Sequence, residues 1–511
     1  MPLASQFAAV EIADLDEMLL SGGDSRIALD PISRLNIYGC SPNPQYGICD
    51  LSSSTASSIS PHAQRRAQEA WHKLQLRPDA RSFDIFTDEA RRELVSYFCL
   101  NDQKVDVVFS PSGTDAQLLS LFLVRSLLGT PLVTIIAGSD QTGSGTIFTA
   151  KGNHFTDHGA YKKGDAVTGL AHGVYSVEVP FGAGDDVAPR SLDEIDMAVV
   201  DAAEFAIAKG AHVLLQAMAS SKLGWTAPSE NCISELQRRW PDRICVVVDA
   251  CQMRIGRARL RHQLTQNRIV LMTGSKFYCG PPFSGAILIP ESLGSAFANI
   301  NQIPLGLRTL SSRFDWPARY QAQRSGFPSA QNFGQWLRWE AALEEMRAYH
   351  VVPVEFRIRA LARFAMAIPA LIAASRVVVL YGDSVCDTDT ARDEEFTAPT
   401  IFPISLKHAG GFFSYQECTT IHRLLTQNLS RSLTAGVESA AASRLCRMGQ
   451  PVTIGSTTAI IRLSSSARMV ARCWSSDAAT AIANIETEIA SVALALDKLE
   501  FVVRHYNQLT T

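Results

Sequence analysis

Two short β-branched runs, 244–248 (ICVVV) and 269–272 (IVLM), constrain this chain more than any other feature, because each breaks off abruptly into polar residues. An apolar run of that length bounded by turn residues suits a strand buried on both faces. The first run ends in Asp249. The second leads through Thr273-Gly274-Ser275 into Lys276, and a third, 285–289, follows the Pro281-Pro282 turn. If the strands are neighbours, an acid and an amine at their ends can grip a flat, charged cofactor. The acid would hold a protonated ring nitrogen, and the amine would form a Schiff base with an aldehyde. The alternative is an ordinary surface lysine beside an aspartate that caps a turn.

The rest of the chain supplies context. Its 511 residues leave room for two or three domains and a large core. A net charge of −3 carries no footprint of nucleic acid or of an anionic membrane. The eleven cysteines are scattered singly, with no CxxC pair and no zinc-like spacing, so they read as reduced thiols. The first residues lack the basic start and apolar core of a secretory signal. The apolar stretch near 360–381 carries Arg363, Pro369 and Arg376 and is too interrupted to span a bilayer. The expectation is a soluble, cytoplasmic protein with no metal, no nucleic-acid partner and no membrane.

Residues 1–85 read as an N-terminal arm and helix, with 14–20 as a short helix and 61–74 as a clear one. The serine-rich 51–61 reads as part of the arm or as a flexible linker. From 105 onward, strands (105–110, 132–138, 211–218) alternate with helices (116–128, 199–209), after a helix over 88–100. Such alternation argues for an open, mostly parallel sheet covered on both faces, with ligands bound at the C-terminal strand ends. Residues 86–330 form this large domain. A long helix over 331–349 then opens a smaller α+β C-terminal domain, 331–511. Its expected strands begin at 377, 400 and 457, and its helices cover 415–433 and 477–506.

Between strand and helix, SPSGTD (110–115) offers Ser112, Gly113 and Thr114 as an anion cradle; a plain helix N-cap is the alternative. The glycine-rich GSDQTGSGT from Gly138 lacks the Gly-Lys-Ser/Thr ending of a nucleotide P-loop and brings Gln141 or Thr142 near a bound ring. His154 and His158 lack a third ligand and read as local surface histidines.

VVVDACQMRIG followed by TGSKFYCGPPFSGAILIP resembles the class V aminotransferase and cysteine desulfurase group of fold-type I pyridoxal-phosphate enzymes. The resemblance covers roughly 100–345. It implies the type I transferase fold, pyridoxal 5'-phosphate as cofactor, an amino acid or amine as substrate, and a homodimer. It implies that Lys276 is the Schiff-base lysine, Asp249 the acid on the ring nitrogen, and Gln252 the partner of the ring hydroxyl oxygen. Gly113 and Thr114 match the phosphate loop. Thr273 falls in the same TGSK motif, and Ser275 stands where the group usually has histidine. Gln141 falls where an aromatic stacking residue is common. Phe327 replaces a threonine that reaches a partner subunit's phosphate, and Arg462 matches the carboxylate anchor. An aminotransferase is the first expectation; a lyase or cysteine desulfurase, or a non-catalytic binding module, are the alternatives. A desulfurase needs a mobile cysteine: Cys279 lies too near Lys276, and Cys386 has acidic neighbours that discourage a thiolate.

Overall fold

The computed structural model describes residues 14–157, 159, 161–182, 189–382, 393–430, 439–454 and 458–510. After strand β1 (Ile48–Leu51) and the helices Pro61–Leu76 and Ala80–Tyr97, the chain lays down a seven-stranded sheet. Its strands are β2 (Asp106–Ser110), β3 (Leu132–Ala137), β4 (Val174–Val179), β5 (His212–Met218), β6 (Ile244–Asp249), β7 (Ile269–Thr273) and β8 (Gly285–Ile289). Their spatial order is β2-β8-β7-β6-β5-β3-β4, and only the two pairings made by β8 are antiparallel.

The central strands β6 and β7 are buried at every residue, as uninterrupted apolar runs require. Successive side chains alternate between two cores. Val246, Val248, Val270 and Met272 join Trp336 and Trp339 on one face. Cys245, Val247, Ile269 and Leu271 join Leu118 and Phe122, from the helix Gly113–Leu128, on the other.

Helix Phe333–His350 leads out of this sheet. Beyond it come helix Val354–Ala373, β9 (Val378–Leu380), β10 (Ile401–His408), β11 (Gly411–Phe412), β12 (Leu445–Ile454) and β13 (Thr458–Ser464). These strands run β12-β13-β10, with β9 and β11 also paired to β10. The sheet is completed by β1, which pairs in parallel with β12, Ile48 opposite Leu445. A strand from ahead of the first sheet therefore belongs to the second one.

The linker alternative for the serine-rich segment fails. Ser52, Ser53, Ser54 and Ser57 to Ser60 are all buried. Two of their hydroxyls bond to the backbone: Ser53 Oγ donates to the Ser465 carbonyl at 3.0 Å, and Ser52 Oγ to that of Ala56 at 2.6 Å, while Ser54 Oγ is buried without a partner. Small side chains let this strand of chain thread between the two sheets. The helix expected from residue 88 begins at Ala80, where Asp79 accepts the Arg81 and Ser82 N–H groups as its cap. The helix expected over 415–433 ends at Leu425. Among the described residues one helix, Ala478–Arg504, is long and apolar enough to cross a membrane. Here it buries Ile485, Ile489, Val492 and Leu499 in the main core and also carries Glu486, Glu488, Asp497 and Glu500.

Candidate active site

The cofactor-type pair sits on adjacent strands. β6 and β7 pair in parallel, with Asp249 opposite Leu271, so Asp249 and the Thr273–Lys276 turn emerge at the same sheet edge. Asp249 is buried and held from both sides. Its Oδ1 accepts the Cys251 N–H at 3.0 Å, and its Oδ2 accepts from Gln117 Nε2 at 3.0 Å. Gln117 is itself fixed, because Thr149 Oγ1 donates to its Oε1 at 3.1 Å. Lys276 lies half-buried beyond Thr273, whose Oγ1 donates to the Cys251 carbonyl at 2.8 Å. Burial lowers the Lys276 pKa below the ordinary lysine value. The cations Arg462 and Arg254 act in the same sense, and Cys251 and Asp249 oppose them.

At the end of β2, Ser112 caps the helix Gly113–Leu128, accepting the Asp115 N–H at 3.3 Å and donating to Asp115 Oδ2 at 2.5 Å. The free N–H groups of a helix start favour an anion. Gly113 is required for packing: a Cβ there would lie 2.5 Å from Cys251 Sγ. At the end of β3, Gly138 takes a left-handed conformation (φ 69°) that turns the chain into Ser139–Gln141. Gln141 is buried, and its Oε1 has no hydrogen-bond partner.

The second sheet contributes Arg462, in the middle of β13, opposite Pro403 of β10 and Gly449 of β12. Its Nη2 donates to Thr55 Oγ1 at 3.0 Å and to the Gln450 carbonyl at 2.8 Å. Its Nη1 reaches the Ser54 and Lys222 carbonyls at 3.5 Å, and Nε is buried without a partner. With no carboxylate beside it among the described residues, burial pulls its pKa down to about 10. Gln252 donates Nε2 to the Ser54 carbonyl at 3.1 Å and accepts from Arg254 Nη1 at 2.9 Å, which leaves one amide hydrogen free for a ligand.

All ten residues singled out in the sequence therefore line one cavity of about 340 Å³: Ser112, Gly113, Thr114, Gln141, Asp249, Gln252, Thr273, Ser275, Lys276 and Arg462. It opens at the C-terminal ends of the parallel strands, where open α/β sheets bind ligands.

No protein-family model and no curated protein matches this sequence. Among solved structures, the cysteine desulfurase CsdA (S-sulfonic acid) from Escherichia coli is similar with a TM-score of 0.51. The identity is 12%, over 90% of this chain and 96% of that one. The fold is that of the type I PLP-dependent transferases. Two further similar structures are SPT with a PLP internal aldimine and ureidoglycine-glyoxylate aminotransferase (pucG) from Bacillus subtilis. The first has a TM-score of 0.49 at 13% identity, over 98% of this chain and 100% of its own. The second has 0.48 at 11%, over 92% and 97%.

On this type I transferase scaffold several residues join the cavity that the sequence did not single out: Arg26, Tyr38, Ser54, Gln117 and Lys222. Arg26 pairs with Asp24 at 2.6 Å and reaches Ser112 Oγ at 3.4 Å, so it stands at the anion-binding end. None carries a local signature, because each arrives through tertiary contact. His154 is not a surface residue: it is buried and stacked on Tyr161 with ring centroids 4.4 Å apart. His158 and Cys386 lie outside the described residues. Phe327 does not point to a second subunit, since it is buried and stacked on Trp316 of its own chain. Cys279 is buried away from the cavity wall.

Proposed function

We propose that this chain is a pyridoxal-phosphate-dependent enzyme acting on an amino acid or amine, and that it works as an aminotransferase. The observation that carries this reading is Asp249 and Lys276 at the ends of adjacent parallel strands, inside one cavity with a capped helix start. The residues present fit the cofactor: a helix N-terminus kept open by Gly113, a clamped carboxylate, an unpartnered Gln141 oxygen, and an arginine without a counter-ion. When bound, pyridoxal phosphate supplies an aldehyde that captures amines and a ring that withdraws electrons from the Cα bonds.

The chain's own groups direct that chemistry. Ser112, Gly113 and Thr114, with Ser275 opposite, receive a phosphate. Asp249, held in register by Gln117, keeps a proton on the ring nitrogen. The spare amide hydrogen of Gln252 serves the ring oxygen. The lowered pKa of Lys276 leaves more of its amine neutral at working pH, as a proton carrier at Cα requires. Arg462, on the cavity wall with no carboxylate beside it among the described residues, takes the substrate carboxylate. Two subunits in a cytosolic homodimer are part of this proposal.

The desulfurase alternative has less support. Cys251 is the described cysteine on the cavity wall, and burial together with Asp249 pushes its thiol well above the ordinary range, against thiolate formation.

The test is the visible absorption of the purified protein with pyridoxal phosphate, followed by borohydride reduction and peptide mapping. A cofactor band, and label on Lys276 that disappears in Lys276→Ala, is expected. A labelled Lys276→Ala protein would sink the assignment, and no band at all would favour a binding module.

A further inference from the structure

We propose that the substrate of this site carries a second acidic group besides its α-carboxylate, and that Lys222 receives it. This rests on the pyridoxal-phosphate reading and adds the substrate class to it.

The argument begins with the charges on the cavity wall. Asp249 is the acid among the described lining residues, against the cations Arg26, Lys222, Lys276 and Arg462. Three of the four cations have evident employment. Arg26 is paired with Asp24 and sits by Ser112, at the phosphate end. Lys276 is the amine committed to the cofactor carbonyl. Arg462, which lines the cavity without a counter-ion among the described residues, is committed to one carboxylate. Lys222 is left over, and no ion pair compensates it among the described residues.

Its position is built rather than accidental. The loop after β5 is closed by reciprocal Met218 and Ala227 backbone bonds of 2.6 and 3.0 Å. Inside that loop Ser221 N–H donates to the Trp225 carbonyl at 2.8 Å. Ser221 Oγ accepts the Leu223 and Trp225 N–H groups at 3.1 and 3.0 Å. The Lys222 N–H is tied to the Gln141 carbonyl at 3.2 Å, and its own carbonyl faces Arg462 Nη1 at 3.5 Å. The Lys222 backbone thus stands beside the carboxylate anchor, on the same cavity wall.

Burial, then Arg462 and Lys276, push its pKa down to about 8, while Asp140 pulls the other way. The Asp140 oxygens are occupied by the Phe181 and Gly182 N–H groups at 2.8 and 3.1 Å. A cation held among cations in a partly desolvated wall is poised for an incoming anion. Two carboxylates of one amino acid, bridging Arg462 and Lys222, meet that need.

The experiment measures equilibrium binding of succinate and glutarate, against propionate and butyrate, to protein whose cofactor loading is confirmed by its visible band. Wild type is expected to bind a dicarboxylate at least about tenfold more tightly than the matching monocarboxylate. Lys222→Met is expected to erase that preference while leaving monocarboxylate affinity unchanged, and Lys222→Arg to keep it. Loaded wild type without a preference, or a preference that survives in Lys222→Met, overturns the proposal alone. Protein that takes no cofactor overturns the functional reading together with it.

Discussion

Gly113→Ala isolates the packing that keeps the anion cradle open. The added Cβ would lie 2.5 Å from Cys251 Sγ but 3.4 Å from Cys251 Cβ and 3.5 Å from Thr273 Cγ2. The last two are ordinary contacts, so the whole clash comes from one sulfur atom. Cys251 cannot easily retreat, because its N–H is bonded to Asp249 and its carbonyl to Thr273. Relief comes from turning Sγ about χ1 in a packed wall, or from shifting the helix start or the Asp249 strand end, which face the ligand. Overpacking of this kind costs about 1–3 kcal/mol, equivalent to roughly 5- to 150-fold in a binding constant. Titration of the protein with pyridoxal phosphate and with inorganic phosphate reads that loss. Cys251→Ala keeps both backbone bonds and removes the sulfur, so combining it with Gly113→Ala should bring affinity back to within about threefold of Cys251→Ala alone, the non-additivity expected of residues in contact. A double variant as weak as Gly113→Ala would refute the steric argument and make the glycine's role conformational.

Two further outcomes follow from the same geometry. Asp249→Asn retains an acceptor for the Cys251 N–H but turns an amide towards Gln117 Nε2, so Gln117 must flip and reverse its bond to Thr149 Oγ1; steady-state turnover should fall by about a hundredfold or more while cofactor still binds, and undiminished turnover would remove Asp249 from the chemistry. For Lys222, whose pKa burial lowers to about 8, with Arg462 and Lys276 adding to the effect and Asp140 opposing, the charge is present below that pH and lost as pH rises through it. Dicarboxylate affinity should therefore decline on the alkaline side in wild type but persist in Lys222→Arg, and identical pH profiles would show that Lys222 is not the group titrating.

The parts of this site legible in the sequence were those with a local cause. β6 and β7 are buried on both faces, so they stand out as apolar runs, and their ends mark where Asp249 and Lys276 emerge. The helix after β2 announces itself through a serine cap and a glycine. The rest depends on contacts that no local pattern encodes. β12 contains Gly449 and Pro451 and shifts register between Gly449 and Val452, so its sequence reads as a turn. β4 is half-exposed at the sheet edge and shows no continuous apolar run. Residues 52–60 have the composition of a linker, and only the space between two sheets makes them an interior segment. Gln117 lies one turn from the buried Ser120 in the same helix, and nothing local marks which of them meets Asp249. His154 illustrates the reverse case, a polar residue whose burial is decided by its ring stack on Tyr161.

Two buried arginines at the seam between the sheets show how structure separates a fastener from a ligand-facing group when both look alike. Burial lowers the pKa of each, Arg254 to about 9 and Arg462 to about 10, and neither meets a carboxylate among the described residues. A guanidinium has five N–H donors. Arg254 spends all five on the protein: Thr400 Oγ1, the carbonyl and side-chain oxygen of Gln252, Ser53 Oγ and the Ser465 carbonyl. It has nothing left for a ligand, and its work is to fix Gln252 and join the serine-rich segment to the ends of the second sheet at Thr400 and Ser465. Arg462 satisfies four donors, two of them only at 3.5 Å, keeps Nε buried without a partner, and lines the cavity that Arg254 does not. A buried donor left unmet costs about 1–3 kcal/mol, so an anion arriving at Arg462 recovers free energy that none could recover at Arg254. The difference in satisfied donors, rather than the shared burial or charge, is the reason to assign substrate recognition to Arg462.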